Sequence, residues 1–438
     1  MDKVNLIVIG AGPGGYETAA RAAAMGCRVK LIEKGELGGT CLNRGCIPTK
    51  CLVASAAAAT SARSASALGI DAGTVSVDYG RVRERMLEVV AGLRDGVAAQ
   101  LADVEIIHGE ASICPTGPGV TVNGEQIYAD DLIIATGSTP ARLPIPGAEL
   151  ALTSDDIPAL KELPASIVII GAGVIGMEYA SILSALGTQV TVVEYCREIL
   201  PPFDREVAKR LRMLMGRRGV KIVTDAKVTA IEQTADGLSV HYEAKGKPQS
   251  ITAQTALMAV GRKPCIPAGC EEADIRTDRR GIIVDDNFMT SRDHIYAIGD
   301  VNGRCMLAHA ATAQGAVVLG MDVNLEVMPA DVFTDPELAM VGLTEEQCAE
   351  RELHYRVRKA LYASCGKARA MGQTDGFVKL ITEVEGDAIL GCHIIGAHAS
   401  DLIGEVALAM QTGLTGADIA ATIHAHPTLS ELLPAVAH

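Results

Sequence analysis

Tryptophan is absent from this 438-residue chain, and phenylalanine occurs only 4 times. Aromatics make up 3% of the residues, which leaves no material for an aromatic binding platform. The abundance of alanine, glycine, valine and isoleucine instead suits helices packed closely on parallel sheets. Positive charge is also scarce. Lys and Arg number 39 against 53 Asp and Glu, a net charge of −14. A nucleic-acid surface needs a basic stripe that displaces counterions, and this balance argues against one. It disfavours an anionic membrane surface as well. No apolar run approaches the ~20 residues of a membrane span. The first such run, Val4–Ile9, is too short for a secretory signal and runs straight into a glycine turn. A cytoplasmic location is therefore expected, with no membrane partner. There are 12 cysteines, and without an export signal they imply a reducing compartment. Most should be free and buried, with Cys27, Cys114, Cys196, Cys348 and Cys392 read as core residues. Any real disulfide should be catalytic.

What is present is one unit written twice. Residues 4–34 read VNLIVIGAGPGGYETAARAAAMGCRVKLIEK, and residues 165–195 read ASIVIIGAGVIGMEYASILSALGTQVTVVEY. Laid over each other, Gly10, Gly12 and Gly15 fall on Gly171, Gly173 and Gly176, and Glu33 falls on Glu194. Each copy is an apolar strand, G-x-G-x-x-G, an alanine-rich or apolar helix and a second strand ending in Glu. The first glycine makes the tight turn, the second admits a pyrophosphate, and the third lets helix and strand close up. The helix start offers free N–H groups and the positive dipole end to phosphate, and the acid accepts ribose hydroxyls. Two dinucleotide sites imply two cofactors, naturally a flavin and a nicotinamide.

The rest of the chain supports a multidomain α/β reading, at roughly 100–200 residues per domain. An alanine-rich helix is expected to about Leu68 and another from Tyr79 to Leu101. Short strands should lie between Val104 and Val122. Asp131–Gly137 and Ala256–Gly261 read as matching buried strands, separated by the punctuation of Pro140, Pro144, Pro146 and Gly147. A strand ending in Ile295–Asp300 and a helix from Leu307 to Leu319 follow. From Pro329 the pattern becomes strands at Phe377–Ile381 and Ala388–Ile395, then helices at Asp401–Gln411 and Gly416–Thr422.

Two short runs carry chemistry. Residues 38–50, GGTCLNRGCIPTK, hold Cys41 and Cys46 among glycines that let the sulfurs approach. Pro48 suits the first turn of a helix, and a helix start stabilises a thiolate. Residues 424–431, HAHPTLSE, hold His424, His426 and Glu431. A metal reading of H-x-H lacks a third ligand at suitable spacing. An acid–base reading is chemically apt, because thiol attack needs a thiolate and a histidine can take its proton.

With ATG at 135–137, YAIGD at 296–300 and MLAHAA at 306–311, these motifs resemble the class I pyridine nucleotide–disulfide oxidoreductases, in order and over the whole chain. The resemblance implies two Rossmann-like dinucleotide-binding domains and a C-terminal α+β dimerisation domain. Its divisions would be 1–145 for FAD with the redox disulfide, 146–264 for NAD, 265–327 completing the FAD domain, and 328–438 for the interface. It implies that Cys46 is the flavin-proximal, charge-transfer sulfur and Cys41 the interchange sulfur. Lys50 would lie near the flavin's reactive nitrogen, paired with Glu178. Asp300 would bind the ribityl chain and His309 the pyrimidine edge. Further FAD contacts would come from Gly10, Gly12, Gly15, Glu33 and Lys34, from Gly39 and Thr40, and from Thr136, Gly137, Leu307 and Ala308. NAD would take Gly171, Gly173, Gly176, Glu194 and Gly261. His426, oriented by Glu431 through a cis His426–Pro427 bond, would act as base on the disulfide of the other subunit of a homodimer.

Within the family the chain most resembles the lipoamide dehydrogenase branch. Tyr195 and Pro201 stand where NADP-linked relatives carry Arg, and a ribose-binding Glu194 repels a 2′-phosphate, so NAD is expected. There is no C-terminal Cys pair of the mercuric reductase kind, and C-I-P-T-K replaces C-V-P-K-K of glutathione-type enzymes. Gln314 and Cys265 depart from the Glu and Asn common in relatives. The expected partner is a lipoyl domain of a 2-oxoacid dehydrogenase or glycine-cleavage type complex. The alternatives are an NAD(P)H-dependent reductase of another small disulfide, or a non-catalytic flavoprotein scaffold, which would have no need of Cys41, Cys46, His426 and Glu431 together.

Overall fold

The computed structural model describes residues 5–438, so Met1–Val4, including the first residue of the apolar run at 4–9, lie outside the described residues. The chain forms two compact units. One comprises the described residues through Cys51 together with Arg83–Ala141 and Gly261–Leu325, and the other comprises Leu52–Val82, Arg142–Val260 and Glu326–His438.

In the first unit, Leu6–Ile9 is the central strand of a five-stranded parallel sheet. Val29–Glu33 and then Glu105–His108 lie to one side, and Asp131–Ile134 and then Ile295–Ala297 to the other. Strand order reverses beside the central strand, which opens the crevice where parallel α/β sheets bind ligands. Ile7, Val8, Leu31, Leu132, Ile133 and Ile134 are shut off from solvent. Each such side chain contributes about 1.5–3 kcal/mol of apolar burial, so unbroken β-branched runs here read as strands covered on both faces. The helix Pro13–Ala24 packs on the helix Ala308–Val318 through small residues. A Cβ on Gly14 would lie 2.9 Å from Ala311 Cβ, which is why glycine stands there. An antiparallel trio, Ser112–Ile113, Gly119–Val122 and Glu125–Tyr128, is attached.

The second unit holds a four-stranded parallel sheet in the order Lys221–Val223, Gln189–Val193, Ser166–Ile170, Thr255–Met258. An antiparallel excursion, Ala226–Thr234, Gly237–Ala244 and Lys247–Ala253, interrupts it. The same unit contains an antiparallel five-stranded sheet, ordered Ala330–Val332, Glu337–Gly342, Ile389–Gly396, Phe377–Glu383, Tyr355–Leu361. Helices Ala399–Gln411, Gly416–Ala421 and Leu432–Ala437 cover it through Ile403, Val406, Ile419, Leu432 and Val436. The fold is thus α/β with two Rossmann-like sheets and an α+β C-terminal part.

Among the described residues, no helix is long and apolar enough to cross a membrane. None of the twelve cysteines is in a disulfide in this structure. Cys114, Cys348 and Cys392 are buried, but Cys27 and Cys196 are only half-buried, a correction to their reading as core. Cys196 follows the second fingerprint strand, where its N–H donates to the Glu194 carboxylate and burial, then a thiol hydrogen bond to Glu194, push its thiol above the ordinary value.

Candidate active site

The redox segment lies at the carboxyl end of the first parallel sheet. After Val29–Glu33 the chain turns through Gly38 into the short helix Gly39–Asn43, and Cys46 opens the long helix Cys46–Ser64. Pro48 therefore falls in the first turn of that helix. A Cβ on Gly45 would meet the Thr40 carbonyl oxygen at 3.0 Å and Cys41 Cα at 3.3 Å, so the turn between the cysteines closes tightly only with glycine there. The two thiols hydrogen-bond each other. That bond, followed by burial, pushes the Cys41 thiol well above its ordinary value, while the Cys46 N–H and the Lys50 ammonium pull the other way. Cys46 sits at a helix start, where a thiolate is favoured. Tyr16 lies within reach of the Cys41 charge. Burial first, then Glu17 and Cys41, push its phenol up to about 12, so it stays protonated.

The glycine skeletons test whether dinucleotides fit. A Cβ on Gly15 would run into the Gly10 carbonyl oxygen, and one on Gly176 into that of Gly171. By contrast, a Cβ on Gly12 or Gly173 would meet nothing within 4 Å and would fill only the space above the turn. The helices that follow, Pro13–Ala24 and Val174–Leu186, have no side-chain cap, which leaves their first N–H groups for a phosphate. The acids are held identically. Glu33 accepts the Ala11 N–H at 2.6 Å and the Gly35 N–H at 2.7 Å. Glu194 accepts the Ala172 N–H at 2.5 Å and the Cys196 N–H at 2.7 Å. Each carboxylate keeps lone pairs for ribose hydroxyls. Both sites fit a dinucleotide.

Around the first crevice, Lys34 is exposed and paired with Glu110 at 2.8 Å. Thr136 Oγ1 donates to the Cys265 carbonyl, and Cys265 N–H donates to the Gly137 carbonyl at 2.9 Å, so Cys265 serves here through its backbone. Asp300 Oδ2 accepts from Ser138 Oγ, which in turn accepts from Arg262 Nε at 2.7 Å. Arg262 also donates to the Ser138 carbonyl at 2.7 Å. Sequence reasoning missed Ser138 and the role of Arg262. Their only signal was position, directly after ATG and directly after Gly261. Gln314 is buried and its Oε1 accepts from the Gly299 N–H at 2.8 Å and Asn302 Nδ2 at 2.9 Å. A glutamine supplies that acceptor as well as a glutamate would. Leu307 is the extended residue before the helix Ala308–Val318, and exposed His309 lies in its first turn.

In the second unit, Glu178 is buried and its Oε1 accepts the Phe333 N–H at 2.9 Å. Gly261 follows Thr255–Met258 at an exposed position. The His426–Pro427 peptide is cis. His426 Nδ1 lies 2.8 Å from Glu431 Oε1, and Glu431 Oε2 accepts the Thr428 N–H at 2.9 Å. The His426 bond, then the Thr428 N–H, hold the Glu431 carboxyl below its ordinary range. Nδ1 thus donates to the carboxylate, and Nε2 is the nitrogen left for a further partner on a side chain that is 79% exposed. His424 differs: its Nε2 meets Glu405 at 2.8 Å and its side chain is only 7% exposed. No group of three or more potential metal ligands occurs among the described residues.

Comparison with known proteins adds three findings. Residues 4–315 match the family described as pyridine nucleotide-disulphide oxidoreductase, and residues 328–437 match its dimerisation domain. The chain is 41% identical to a dihydrolipoyl dehydrogenase of Geobacillus stearothermophilus, over 97% of this chain and 94% of that one. It is 37% identical to one of Bacillus subtilis (strain 168), over 98% and 96%. Among solved structures it resembles the HOCl-induced flavoprotein disulfide reductase RclA from Escherichia coli, with TM-score 0.87, 30% identity and 99% of both chains covered.

Proposed function

The chain belongs to the pyridine nucleotide-disulphide oxidoreductase family, and on that premise we propose that it oxidises dihydrolipoyl groups with NAD⁺ through FAD and the Cys41–Cys46 pair. The observation that carries the reading is the direct contact of the two thiols at the start of a helix, beside the first dinucleotide crevice. The names of the relatives supply the substrate class.

FAD, when bound, relays an electron pair between the dithiol and NAD⁺. The remaining steps belong to side chains. Nε2 of His426 takes the proton of one substrate thiol, and Glu431 holds the opposite nitrogen so that the ring can carry the charge. The substrate thiolate attacks Cys41 Sγ, breaking the Cys41–Cys46 bond and leaving Cys46 as thiolate. The second substrate thiol then displaces Cys41, which releases the lipoyl disulfide and leaves two protein thiols. In this reading Gly10, Gly12, Gly15, Glu33, Lys34, Gly39 and Thr40 hold FAD from one side. Thr136, Gly137, Asp300, Leu307, Ala308 and His309 hold it from the other, with Lys50 at its reactive edge. Gly171, Gly173, Gly176, Glu194 and Gly261 hold NAD. His426 and Glu431 serve the cysteines of a second subunit, so the working form is a homodimer. Its partners are lipoyl domains, in the cytoplasm.

Steady-state assay of the purified protein with dihydrolipoamide and NAD⁺, beside NADP⁺, tests this. Turnover should favour NAD⁺, and His426→Gln should lower it by about 10²–10⁴-fold. The likeness to RclA supports a second reading, NAD(P)H-dependent reduction of another small disulfide. Turnover of such disulfides with no oxidation of dihydrolipoamide would select it. Absence of any turnover would select a scaffold.

A further inference from the structure

Two side chains outside the reacting groups grip the turn that joins Cys41 to Cys46. Asn43 lies between the cysteines. Its Nδ2 donates to the carbonyls of Leu37 and Gly39, each at 2.9 Å, with a longer contact to Glu36 at 3.4 Å. Its Oδ1 receives two bonds from the Arg94 guanidinium, from Nε at 3.1 Å and Nη2 at 2.7 Å. The amide orientation is forced, since flipping it would set N–H groups against N–H groups. Arg94 Nη1 also pairs with Glu36 at 3.1 Å. Arg94 projects from the helix Tyr79–Gln100, so one guanidinium fixes the residue inside the turn and the loop that leads into it.

We propose that Asn43 and Arg94 are positioning residues that set the dithiol–disulfide equilibrium of Cys41 and Cys46. The inference rests on the reading of that pair as redox-active. Whether a dithiol closes depends on the effective concentration of one thiol at the other, which falls when the intervening turn gains freedom. The planar fork of arginine, bonded twice to one oxygen and once to a carboxylate, leaves the turn little freedom. Loosening it spreads the sulfurs and makes the disulfide easier to reduce.

The holoenzyme is equilibrated with buffers of reduced and oxidised dithiothreitol, quenched in acid, alkylated, and its Cys41 and Cys46 peptides are quantified by mass spectrometry. The reaction is protein disulfide plus reduced dithiothreitol giving two protein thiols plus cyclic dithiothreitol. One S–S bond breaks and one forms, with two electrons and two protons passing to the protein. Arg94→Leu should raise the constant for reduction of the protein roughly tenfold, the size expected from a lost charge-assisted hydrogen bond, or about 30 mV for a two-electron couple. Asn43→Asp keeps an acceptor for Arg94 but no N–H for Leu37 and Gly39, and should shift it in the same direction. Arg94→Lys keeps the charge without the fork and should fall between Arg94→Leu and wild type. If all three variants share the wild-type constant, whatever their melting temperatures, the positioning role is overturned. If wild type forms no disulfide in oxidised dithiothreitol, the redox reading fails and takes this inference with it.

Discussion

The two fingerprint copies share their turns and the bonds of their acids, yet what surrounds them differs in kind. Around the first copy the contacts are made by small, uncharged groups: Gly14 against Ala311, Gly315 against Thr18. Around the second, Glu178 accepts the Phe333 N–H and Ser181 accepts the Asp335 N–H at 3.1 Å, so polar side chains of the helix tie to the connection between Ala330–Val332 and Glu337–Gly342 of the C-terminal sheet. The corresponding acid of the first copy, Glu17, is only half-buried and meets the Tyr16 hydroxyl at 3.3 Å. Among the described residues, every buried acidic, basic or histidine side chain falls in the second unit: Glu178, Glu194, Asp204, Lys379 and His393. One motif can therefore be built into a fold held by close packing or into one held by buried charge, and the two should fail under different insults.

Removing buried charge should break the comparison hardest. Lys379 Nζ meets Asp204 at 2.9 Å and Glu345 at 2.6 Å. Burial alone would push that ammonium down, but the bonds to Glu345 and Asp204 hold it above its ordinary value. Lys379→Met leaves Asp204 buried and unpaired, and should destabilise by about 3–5 kcal/mol. Hydrogen exchange of Phe377–Glu383 should accelerate strongly while that of Leu6–Ile9 stays as in wild type. Equal acceleration in both would show that the two regions are not held separately.

Overfilling the turns should have the next largest effect. Gly15→Ala and Gly176→Ala both force a helix away from a glycine carbonyl, at about 1–3 kcal/mol. If the first copy holds the flavin, Gly15→Ala should purify with depleted FAD. Gly176→Ala should keep FAD and bind NAD⁺ roughly tenfold or more weakly, by the same principle. Flavin content and nicotinamide titration decide it, and the reverse pattern would exchange the assignments. Glu194→Ala sharpens this further. It should cost NAD⁺ binding about 1–3 kcal/mol with FAD content unchanged.

The local signals explain how far the sequence could be read. Strands Leu6–Ile9, Asp131–Ile134 and Ser166–Ile170 are apolar runs flanked by glycine, and helix Tyr79–Gln100 lies within a residue of its periodic pattern. The family resemblance carried by HAHPTLSE implied that His426 is oriented by Glu431, and the two side chains meet at 2.8 Å. The antiparallel excursion at 226–253 was missed, because strands such as Lys247–Ala253 are exposed and carry no apolar alternation. The Arg262–Ser138–Asp300 chain and the Arg94–Asn43 clamp were invisible because their members are far apart in sequence and obey no period. Nothing in FVKLITE announces a partner for Lys379, because Asp204 lies 175 residues away and only the fold brings it there.

The smallest expected effect is one of pH, and it probes the same asymmetry without removing a charge. His393, on the strand Ile389–Gly396, is fully buried. Its Nε2 donates to the Leu343 carbonyl at 2.9 Å, and its Nδ1 is buried without a hydrogen-bond partner. Burial first, with the Lys379 charge, lowers the ring's pKa. The Asp204 and Glu346 carboxylates and the Leu343 carbonyl oppose this without restoring it. The unfolded chain therefore takes up a proton near pH ~6.5 that the folded chain does not. Stability from the neutral ring is complete above that pH. It is lost as pH falls toward the folded pKa, by up to ~1.4 kcal/mol per pH unit. Asp204 works in a lower window. Burial would raise its carboxyl, but His393 and Lys379 hold it below the ordinary value, so its contribution is complete above about pH 3.9 and lost below. Between about pH 7.5 and 5.5 the strand Ile389–Gly396 should thus lose hydrogen-exchange protection while Leu6–Ile9 keeps its own. His393→Gln, whose amide can still donate to Leu343, should flatten the slope across that interval. An unchanged slope in His393→Gln would mean that the acid sensitivity arises elsewhere, and that buried charge does not separate the two regions in this range.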